Sequence, residues 1–319
     1  MIKVVFMGTP QIAVNSLKKL LNFNDIKIQA VVTQPDRPSG RGKALTPPPI
    51  KETALKNAVP VFQTESIRKD SELIAKLKEL QPDFFVTFAF GQILTQEVLD
   101  IPKFATINLH ASLLPKYRGA NPIQRAIYDG EAETGITTMI TVLELDAGDI
   151  CLQEKIAITE NMTDMELSGI ISEKSPFLIY KTLKGLYDGN LIPQKQCEEG
   201  VCIAKKFQKT DGLIDWSRSV KEVHKQICAQ KSWPCSYTYC NGKMVKITES
   251  KIVEVCSSSD ELCKIKNISK DGIEVCLKDG TLLITKLKPE GKSEMSSYDW
   301  TNGVKLKKGD LFAAQEGNN

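Results

Sequence analysis

Strand-like and helix-like patterns alternate along roughly the first 190 residues, and this alternation restricts the possible folds more than any other feature. Buried-strand patterns cover residues 3–7, 28–33 and 83–88, and helical periodicity covers residues 10–21 and 67–80. Strands and helices at this spacing form βαβ units with a parallel sheet. The N-terminal part is therefore predicted to be an α/β domain, Rossmann-like, with a mainly parallel sheet.

The pattern changes after Gly189. Residues 190–206 show little helical periodicity and are predicted to be a linker. Beyond them, short β-like segments are separated by Asx-Gly turns, which are the strongest short-range signal for β-hairpins. We therefore predict an N-terminal domain over residues 1–189 and a small C-terminal β-barrel, OB-like, over residues 207–319.

Composition places the chain among soluble globular proteins. It has 319 residues, of which 41% are hydrophobic and 25% charged, and this length suits about two domains. No apolar run approaches the roughly 18–20 residues that cross a bilayer. The N-terminus enters a strand directly and lacks a signal-like apolar core. We expect a cytoplasmic monomer without membrane association.

Nine cysteines raise the question of a metal site or disulfides. Their number is odd, none forms a CxxC pair, and their spacing fits no common zinc pattern. We therefore expect them to pack as small hydrophobic residues, and we predict no metal.

Positive charge is concentrated in the C-terminal part. Residues 207–319 contain 18 Lys and Arg against 15 Asp and Glu, which accounts for the whole net charge of +3. Such a small excess is also typical of an ordinary solvated surface. However, several lysines are clustered, and clustered cations can supply the salt-sensitive part of nucleic-acid binding. These are Lys286, Lys288, Lys292, Lys305, Lys307 and Lys308.

Three polar residues lie at the ends of two strand-like runs. Asn108 and His110 end the first run and, being two apart, share one face of the strand. The second run, over residues 136–142, leads to Asp146. Because parallel strands present their carboxyl ends at one edge of a sheet, we expect the three to meet there. An amide can stabilise an oxyanion, an imidazole can transfer protons, and a carboxylate can hold the imidazole cationic.

A long loop over residues 33–51 carries a second signal. It contains five prolines and four basic residues, so its middle is not expected to be a strand or a helix. Long insertions in compact domains are often functional, although a solvated loop is the alternative. Arg41, between two glycines, would be a mobile cation suited to phosphate.

Other catalytic motifs are missing. Ser112 has no Gly-x-Ser-x-Gly elbow around it, and neither a dinucleotide fingerprint nor a P-loop occurs. The trio of Asn108, His110 and Asp146 therefore favours direct acyl transfer, in which an amine attacks a polarised carbonyl.

The motifs together indicate a family. NLHASLLPKYRGANPIQRAIYDGEAETGIT followed by LDAGD resembles the core of the 10-formyltetrahydrofolate-dependent formyltransferases. Other motifs resemble those of the family members that formylate methionyl-initiator-tRNA. These motifs are FMGTP, TQPDRPSGRGK, LIDWS, SWP and DGTLLITKLKPEGKSEM. The resemblance covers nearly the whole chain.

The resemblance implies roles for individual residues. Asn108, His110 and Asp146 match the family's catalytic trio, with Asn108 and protonated His110 stabilising the oxyanion while Asp146 holds His110. Arg41 and Lys43 match the loop that reaches the tRNA acceptor end. No metal is needed, and 10-formyltetrahydrofolate is the formyl donor. The pterin would lie against two segments, residues 90–94 and residues 142–146. Gln92 and Leu94 of the first segment would bind it chiefly through their backbone groups. The residues predicted to contact it are Phe90, Gln92, Leu94, Val142, Leu143 and Leu145.

Three other interpretations remain open. The chain could be a formyltransferase that acts on a small amine such as glycinamide ribonucleotide or an amino sugar. It could be a non-catalytic RNA-binding relative, although binding alone would not require all three polar residues. Folate hydrolysis would use the same core with water as acceptor.

Overall fold

The computed structural model describes residues 1–39, 44–255 and 262–313. These residues form two compact units that are discontinuous in sequence. The first unit comprises residues 1–122, 134–157 and 168–204, and the second comprises residues 123–133, 158–167 and 205–319. None of the helices in the described ranges is long and apolar enough to cross a membrane.

The first unit is built on a seven-stranded sheet of order β10-β9-β7-β6-β1-β2-β5. The five strands from β7 to β5 in this order all pair in parallel, whereas β9 pairs antiparallel with β7. The strands up to residue 204 are β1 (Ile2–Gly8), β2 (Ile26–Thr33), β3 (Arg37–Ser39), β4 (Ala44–Thr46), β5 (Val61–Gln63), β6 (Phe84–Phe88), β7 (Ala105–His110), β8 (Arg118–Gly119), β9 (Glu133–Ile140), β10 (Ile150–Ala157) and β11 (Ile203–Ala204). The predicted α/β fold with a mainly parallel sheet is confirmed.

Capping hydrogen bonds determine where two of the helices before residue 204 begin. The predicted helix over 67–80 is divided, because Asp70 caps a new helix by accepting a hydrogen bond from Leu73 N at 3.0 Å. The helix that begins at Asp164 has a capping box formed by Thr163 and Glu166. The helices are α1 (Val14–Leu20), α2 (Pro49–Lys56), α3 (Ser71–Glu79), α4 (Gln96–Leu99), α5 (Pro122–Tyr128) and α6 (Asp164–Tyr187).

The second unit contains an antiparallel sheet of order β12-β13-β16-β15-β14, with β17 paired to β16. Residues 311–313 close this sheet, since Ala313 bridges to Tyr239 and Leu311 bridges to Lys264. The predicted C-terminal β domain is therefore confirmed as a closed, barrel-like sheet. Its elements are α7 (Val220–Ala229), β12 (Ser236–Cys240), β13 (Lys243–Val255), β14 (Ile265–Ser269), β15 (Gly272–Leu277), β16 (Gly280–Pro289), β17 (Met295–Ser296) and α8 (Ser297–Val304).

Buried aromatic residues organise the core of the second unit. Trp216 stacks on Phe312 with ring centroids 5.5 Å apart, and its indole N–H donates to Thr238 Oγ1 at 3.0 Å. The C-terminal residues 311–313 are thus fixed both by strand bridges and by aromatic packing.

The cysteines only partly follow the prediction that they pack in the core. Cys151, Cys228 and Cys240 are buried, and burial raises their thiol pKa to about 12, about 11 and about 11, respectively. Cys197 and Cys202 are exposed, so for these two the prediction is wrong. They lie between α6 and β11, in a segment without regular secondary structure that would give them a buried face.

Candidate active site

Asn108 and His110 lie at the carboxyl end of β7, near the middle of the sheet. Asn108 is opposite Thr87 of the parallel strand β6. The Thr87 hydroxyl donates to Asn108 Oδ1 at 2.8 Å. This bond fixes the orientation of the amide, because the oxygen faces Thr87 and the Nδ2 group, which has no partner among the described residues, stays available as a donor.

His110 is held on both sides of its ring. The side chain is 6% exposed, with Nε2 2.8 Å from the carbonyl oxygen of Tyr117 and Nδ1 3.5 Å from Asp146 Oδ2. A carbonyl can only accept, so Nε2 carries a hydrogen. The distance from Nδ1 to Asp146 Oδ2 is longer than that of a normal hydrogen bond. The interaction between the carboxylate and the ring is therefore mainly electrostatic.

Asp146 reaches His110 by a route that differs from the predicted one. Strand β9 runs antiparallel to β7, with Ile140 opposite Ile107 and Thr137 opposite His110. The end of β9 therefore points away from His110, and the prediction of two parallel carboxyl ends is wrong. The strand also ends at Ile140, before the predicted residue 142.

The loop over residues 141–149 folds back and brings Asp146 to His110. Its base is closed by a hydrogen bond from Ile140 N to the carbonyl oxygen of Asp149 at 2.9 Å. A Cβ on Gly148 would lie 1.8 Å from the carbonyl oxygen of Ile140, so this close return requires glycine. Asp146 has a left-handed backbone with φ 50°, and its Oδ2 accepts from Gly119 N at 2.8 Å.

The predicted pterin-contacting residues fall into two groups. Phe90 and Leu94 are buried in the core of the first unit. The Gln92 side chain is fully used, since Oε1 accepts from Ile67 N and Nε2 donates to the Thr64 carbonyl. In the described structure the main-chain groups of Gln92 and Leu94 have no protein partner.

The second group is apolar and exposed. Val142, Leu143 and Leu145 are 42%, 61% and 63% exposed, and Ile93 of the neighbouring loop is 71% exposed. Exposed apolar residues on two loops of one unit provide the type of surface that a flat heterocycle covers.

Arg41 and Lys43 lie outside the described residues. The segments on either side of them form a ribbon in which Arg37 pairs with Thr46 and Ser39 with Ala44. The predicted loop is thus partly β-structure at its flanks.

The ribbon is fixed at its base. Lys51 Nζ lies 2.8 Å from both carboxylate oxygens of Asp36 and 2.7 Å from Gln63 Oε1. The hydrogen bonds that Lys51 Nζ and Gln63 Nε2 donate to Asp36 lower the pKa of its carboxyl.

Gln196 is a site residue that the sequence did not reveal. Its Nε2 donates to the carbonyl oxygens of Asp146 and Gly148, both at 2.8 Å. It lies in the segment predicted to be a linker, and a single glutamine in such a segment carries no periodic signal. In the described ranges, no group of three or more His, Cys, Asp or Glu side chains is arranged to hold a metal ion.

Polar residues at the carboxyl end of a strand in a mainly parallel sheet are typical of an α/β enzyme. The formyl transferase family matches residues 2–183, and its C-terminal domain matches residues 206–305. The chain belongs to the formyl transferase family.

Curated relatives within this family cover nearly the whole chain. The methionyl-tRNA formyltransferase of Clostridium acetobutylicum is 45% identical over 309 residues, which is 97% of this chain and 99% of that protein. The methionyl-tRNA formyltransferase of Sulfurihydrogenibium sp. is 42% identical over 310 residues, again 97% and 99%.

Solved structures of other formyltransferases share the fold. An N-formyltransferase from Helicobacter canadensis, in complex with folinic acid and dTDP-3-aminofucose, superposes with a TM-score of 0.65 at 21% identity, over 89% of this chain and 99% of that one. Glycinamide ribonucleotide transformylase 1 from Symbiobacterium toebii has a TM-score of 0.52 at 17% identity, over 62% of this chain and 95% of that one.

Proposed function

We propose that the protein transfers the formyl group of 10-formyltetrahydrofolate to the α-amino group of methionine on initiator tRNA. The observation that carries the chemistry is the arrangement at the end of β7, where an oriented amide and a buried imidazole with a carboxylate beside it lie in one unit. The tRNA acceptor is supported by the names of relatives that match 97% of the chain.

In this proposal, Asn108 Nδ2 donates a hydrogen bond to the oxygen that becomes negative as the amine attacks, and His110 stabilises that oxygen through the positive charge of its ring. The Thr87 hydroxyl directs Asn108 Nδ2 outward, and Tyr117 fixes the ring of His110 through Nε2. Nδ1 then faces Asp146, whose carboxylate stabilises positive charge on the ring. Removing one such donor typically costs about 10²–10³ in rate.

The folate would be held largely by the backbone. When bound, 10-formyltetrahydrofolate supplies the formyl group. The unpartnered main-chain groups of Gln92 and Leu94 suit the hydrogen-bonding edge of a pterin. The exposed side chains of Val142, Leu143 and Leu145 would cover its apolar faces.

Arg41 and Lys43 are proposed to contact the acceptor end of the tRNA. The segments that flank them in sequence pair as β3 and β4, and Lys51 binds Asp36 next to β3, which supports this role. Arginine and lysine side chains are the usual partners of nucleic-acid phosphates.

In the second unit, the proposal assigns tRNA phosphate to Lys246 and Lys288. These lysines are directly opposite each other on β13 and β16. They line a cavity of about 220 Å³ together with Met244, Pro289, Glu290 and Gly291. Neither forms an ion pair within the described residues. Like charges directly opposite each other destabilise a sheet, and a bound phosphate would reverse this cost.

Other lysines of the same sheet are already neutralised. Lys286 lies 3.0 Å from Glu249, and Lys266 lies 2.9 Å from Glu254. Sequence clustering grouped Lys286 with Lys288, but the ion pairs distinguish them.

The test is formylation of charged tRNA by the purified protein with 10-formyltetrahydrofolate. We expect formylmethionyl-tRNA from initiator tRNA and far less product from elongator tRNA. His110→Ala should lower the rate by about 10²–10⁴-fold, because the ring and its charge are removed. Binding of initiator tRNA to this variant should be unchanged, which also verifies its fold.

Two results would overturn the proposed function, and a third would overturn the role of His110 in it. Transfer to a small amine without any transfer to tRNA would place the protein with the small-molecule formyltransferases. Tight tRNA binding without turnover by the wild type would indicate a non-catalytic relative. Full activity of His110→Ala would remove His110 from the mechanism.

A further inference from the structure

The segment over residues 196–204, here called the strap, is hydrogen-bonded to the loops and strands that surround the candidate active site. Just before it, Gln194 exchanges two main-chain hydrogen bonds with Ile150, at 2.7 and 2.8 Å. At its other end, Ile203 and Ala204 form β11, which pairs with β8. All these residues belong to the first unit.

Gln196 is the buried anchor of the strap. It is 7% exposed, and its amide nitrogen donates to the carbonyls of Asp146 and Gly148. Its Oε1 accepts from Arg118 Nε at 3.1 Å and from Arg118 Nη2 at 2.8 Å. One side chain thus joins the Asp146 loop to β8, whose Gly119 N–H binds the Asp146 carboxylate.

Cys202 contacts Tyr117, the residue whose carbonyl oxygen binds His110 on the side away from Asp146. Its Sγ accepts a hydrogen bond from Tyr117 N at 3.1 Å. Tyr117 has a left-handed backbone with φ 61°, and its carbonyl oxygen holds His110 Nε2. The strap therefore reaches both neighbours of the imidazole, through Gln196 on one side and Cys202 on the other.

We propose that the strap is a positioning element for His110 and Asp146, with Gln196 and Cys202 as its positioning residues. Asp146 and Tyr117 are non-glycine residues with positive φ, and such conformations persist where the surroundings enforce them. The strap supplies bonds to both. Because a displacement of about 1 Å can cost about 10²-fold in rate, these bonds set the efficiency of the site.

The inference rests on the proposed formyl transfer, and its test uses Gln196→Leu with Gln194→Leu as matched control. Gln194 is exposed and joins Ile150 through its backbone alone. We expect Gln196→Leu to lower kcat by about 10- to 100-fold, with KM for both substrates within about twofold of wild type. Gln194→Leu should match wild type.

A double variant separates positioning from general stability. If Gln196 acts through Asp146, adding Gln196→Leu to Asp146→Ala should not lower kcat further, whereas losses of thermal stability should still add. Independent, multiplicative losses of kcat would overturn the inference, as would a Gln196→Leu defect confined to KM.

Cys202 offers a conservative rescue. Cys202→Val removes the acceptor for Tyr117 N and should lower kcat by about 3- to 10-fold, a loss typical of one hydrogen bond. Cys202→Ser keeps an acceptor and should retain most activity. Cys197→Val, at an exposed cysteine of the same strap, should have no effect. Equal activity of Cys202→Val and Cys197→Val would contradict the assignment.

The two levels of the proposal fail in different ways. Absence of product from the wild type with every amine would refute the proposed function. Normal wild-type turnover with a Gln196→Leu variant as active as Gln194→Leu would refute the positioning role alone.

Discussion

Asn108, His110 and Asp146 are each oriented by a neighbouring group that has no role in the proposed reaction. Thr87 orients Asn108, the Tyr117 carbonyl orients His110, and Gly119 N binds Asp146. The spacing of Asn108 and His110 on one strand was sufficient to predict that they share a face. The orienting partners come from other strands and loops, and the sequence contains no signal for them.

The residues predicted to contact the pterin show the same limit. The sequence resemblance predicted contacts from Phe90, Gln92 and Leu94, and it implied that Gln92 and Leu94 act chiefly through their backbone groups. The structure adds a physical reason, because the Gln92 amide is bound to Ile67 and Thr64. Whether a glutamine points inward depends on the loops around it, which local sequence does not encode.

Thr87 gives the sharpest prediction at the level of single residues. Thr87→Val keeps the shape of the side chain but removes the hydroxyl that donates to Asn108 Oδ1. The amide then loses its preferred orientation, so we expect kcat for formyl transfer to fall by about 3- to 10-fold with little change in KM. Steady-state kinetics with both substrates measure this.

Thr87→Ser is the control for this prediction, since it keeps the hydroxyl and loses a methyl group. It should retain most of the wild-type kcat. A Thr87→Ser variant slower than Thr87→Val would show that packing, and not the hydrogen bond, determines the effect.

At the level of elements, the direction of β9 is what the sequence could not reveal. Residues 134–139 of this strand are all buried, and a strand buried on both faces has the same continuous pattern whether it is parallel or antiparallel. Asp146 nevertheless lies beside His110 as predicted, because the loop after β9 returns toward His110. The mistake concerned the path of the chain and not the residue.

Helix α7 shows how an element of the second unit can make stability depend on pH. Its His224 is completely buried, with Nδ1 2.9 Å from Ser250 Oγ and Nε2 3.6 Å from Cys228 Sγ. Burial lowers the pKa of His224, and nearby Lys225 lowers it further, against a smaller opposing effect of Glu160. The ring is therefore neutral in the folded unit.

We predict that the second unit loses stability in mild acid because of His224. Below the ordinary pKa of about 6.5 the unfolded chain binds a proton that the folded chain does not, so the free energy of unfolding falls as pH falls. The loss is at most about 1.4 kcal/mol per pH unit for this one group. Urea unfolding followed by tryptophan fluorescence measures it, since Trp216, Trp233 and Trp300 all belong to this unit.

His224→Gln provides the comparison, because glutamine is neutral across this range and can still bond Ser250. The variant can be less stable overall, but its free energy of unfolding should depend less on pH than that of wild type between about pH 7.5 and about 5.5. Identical pH dependence in the two proteins would show that His224 is not the responsible group.

At the scale of the whole molecule, the proposed reaction divides into chemistry and substrate capture. The polar residues of the catalytic proposal are in the first unit, and the unpaired lysines Lys246 and Lys288 are in the second. Composition predicted where the positive excess lies but not which lysines are available. That distinction depends on cross-strand register, because Glu249 and Glu254 neutralise Lys286 and Lys266.

This division predicts different consequences for two pairs of lysines. The double variant Lys246→Gln/Lys288→Gln should raise KM for initiator tRNA by about 10-fold or more at low salt and leave KM for the folate unchanged. Each lysine that contacts phosphate contributes about one unit to the slope of log affinity against log salt concentration. The slope should therefore decrease by about two in the double variant. Filter binding across a salt series measures it.

Lys266→Gln/Lys286→Gln is the matched control, since it changes net charge by the same amount in the same sheet. Its lysines are already bound to Glu254 and Glu249, so their loss should change the salt slope by much less. Equal effects of the two pairs would mean that the overall field of the unit attracts the tRNA. A larger effect of Lys246→Gln/Lys288→Gln would instead assign the phosphate contact to the cavity between β13 and β16, because net charge is the same in both proteins.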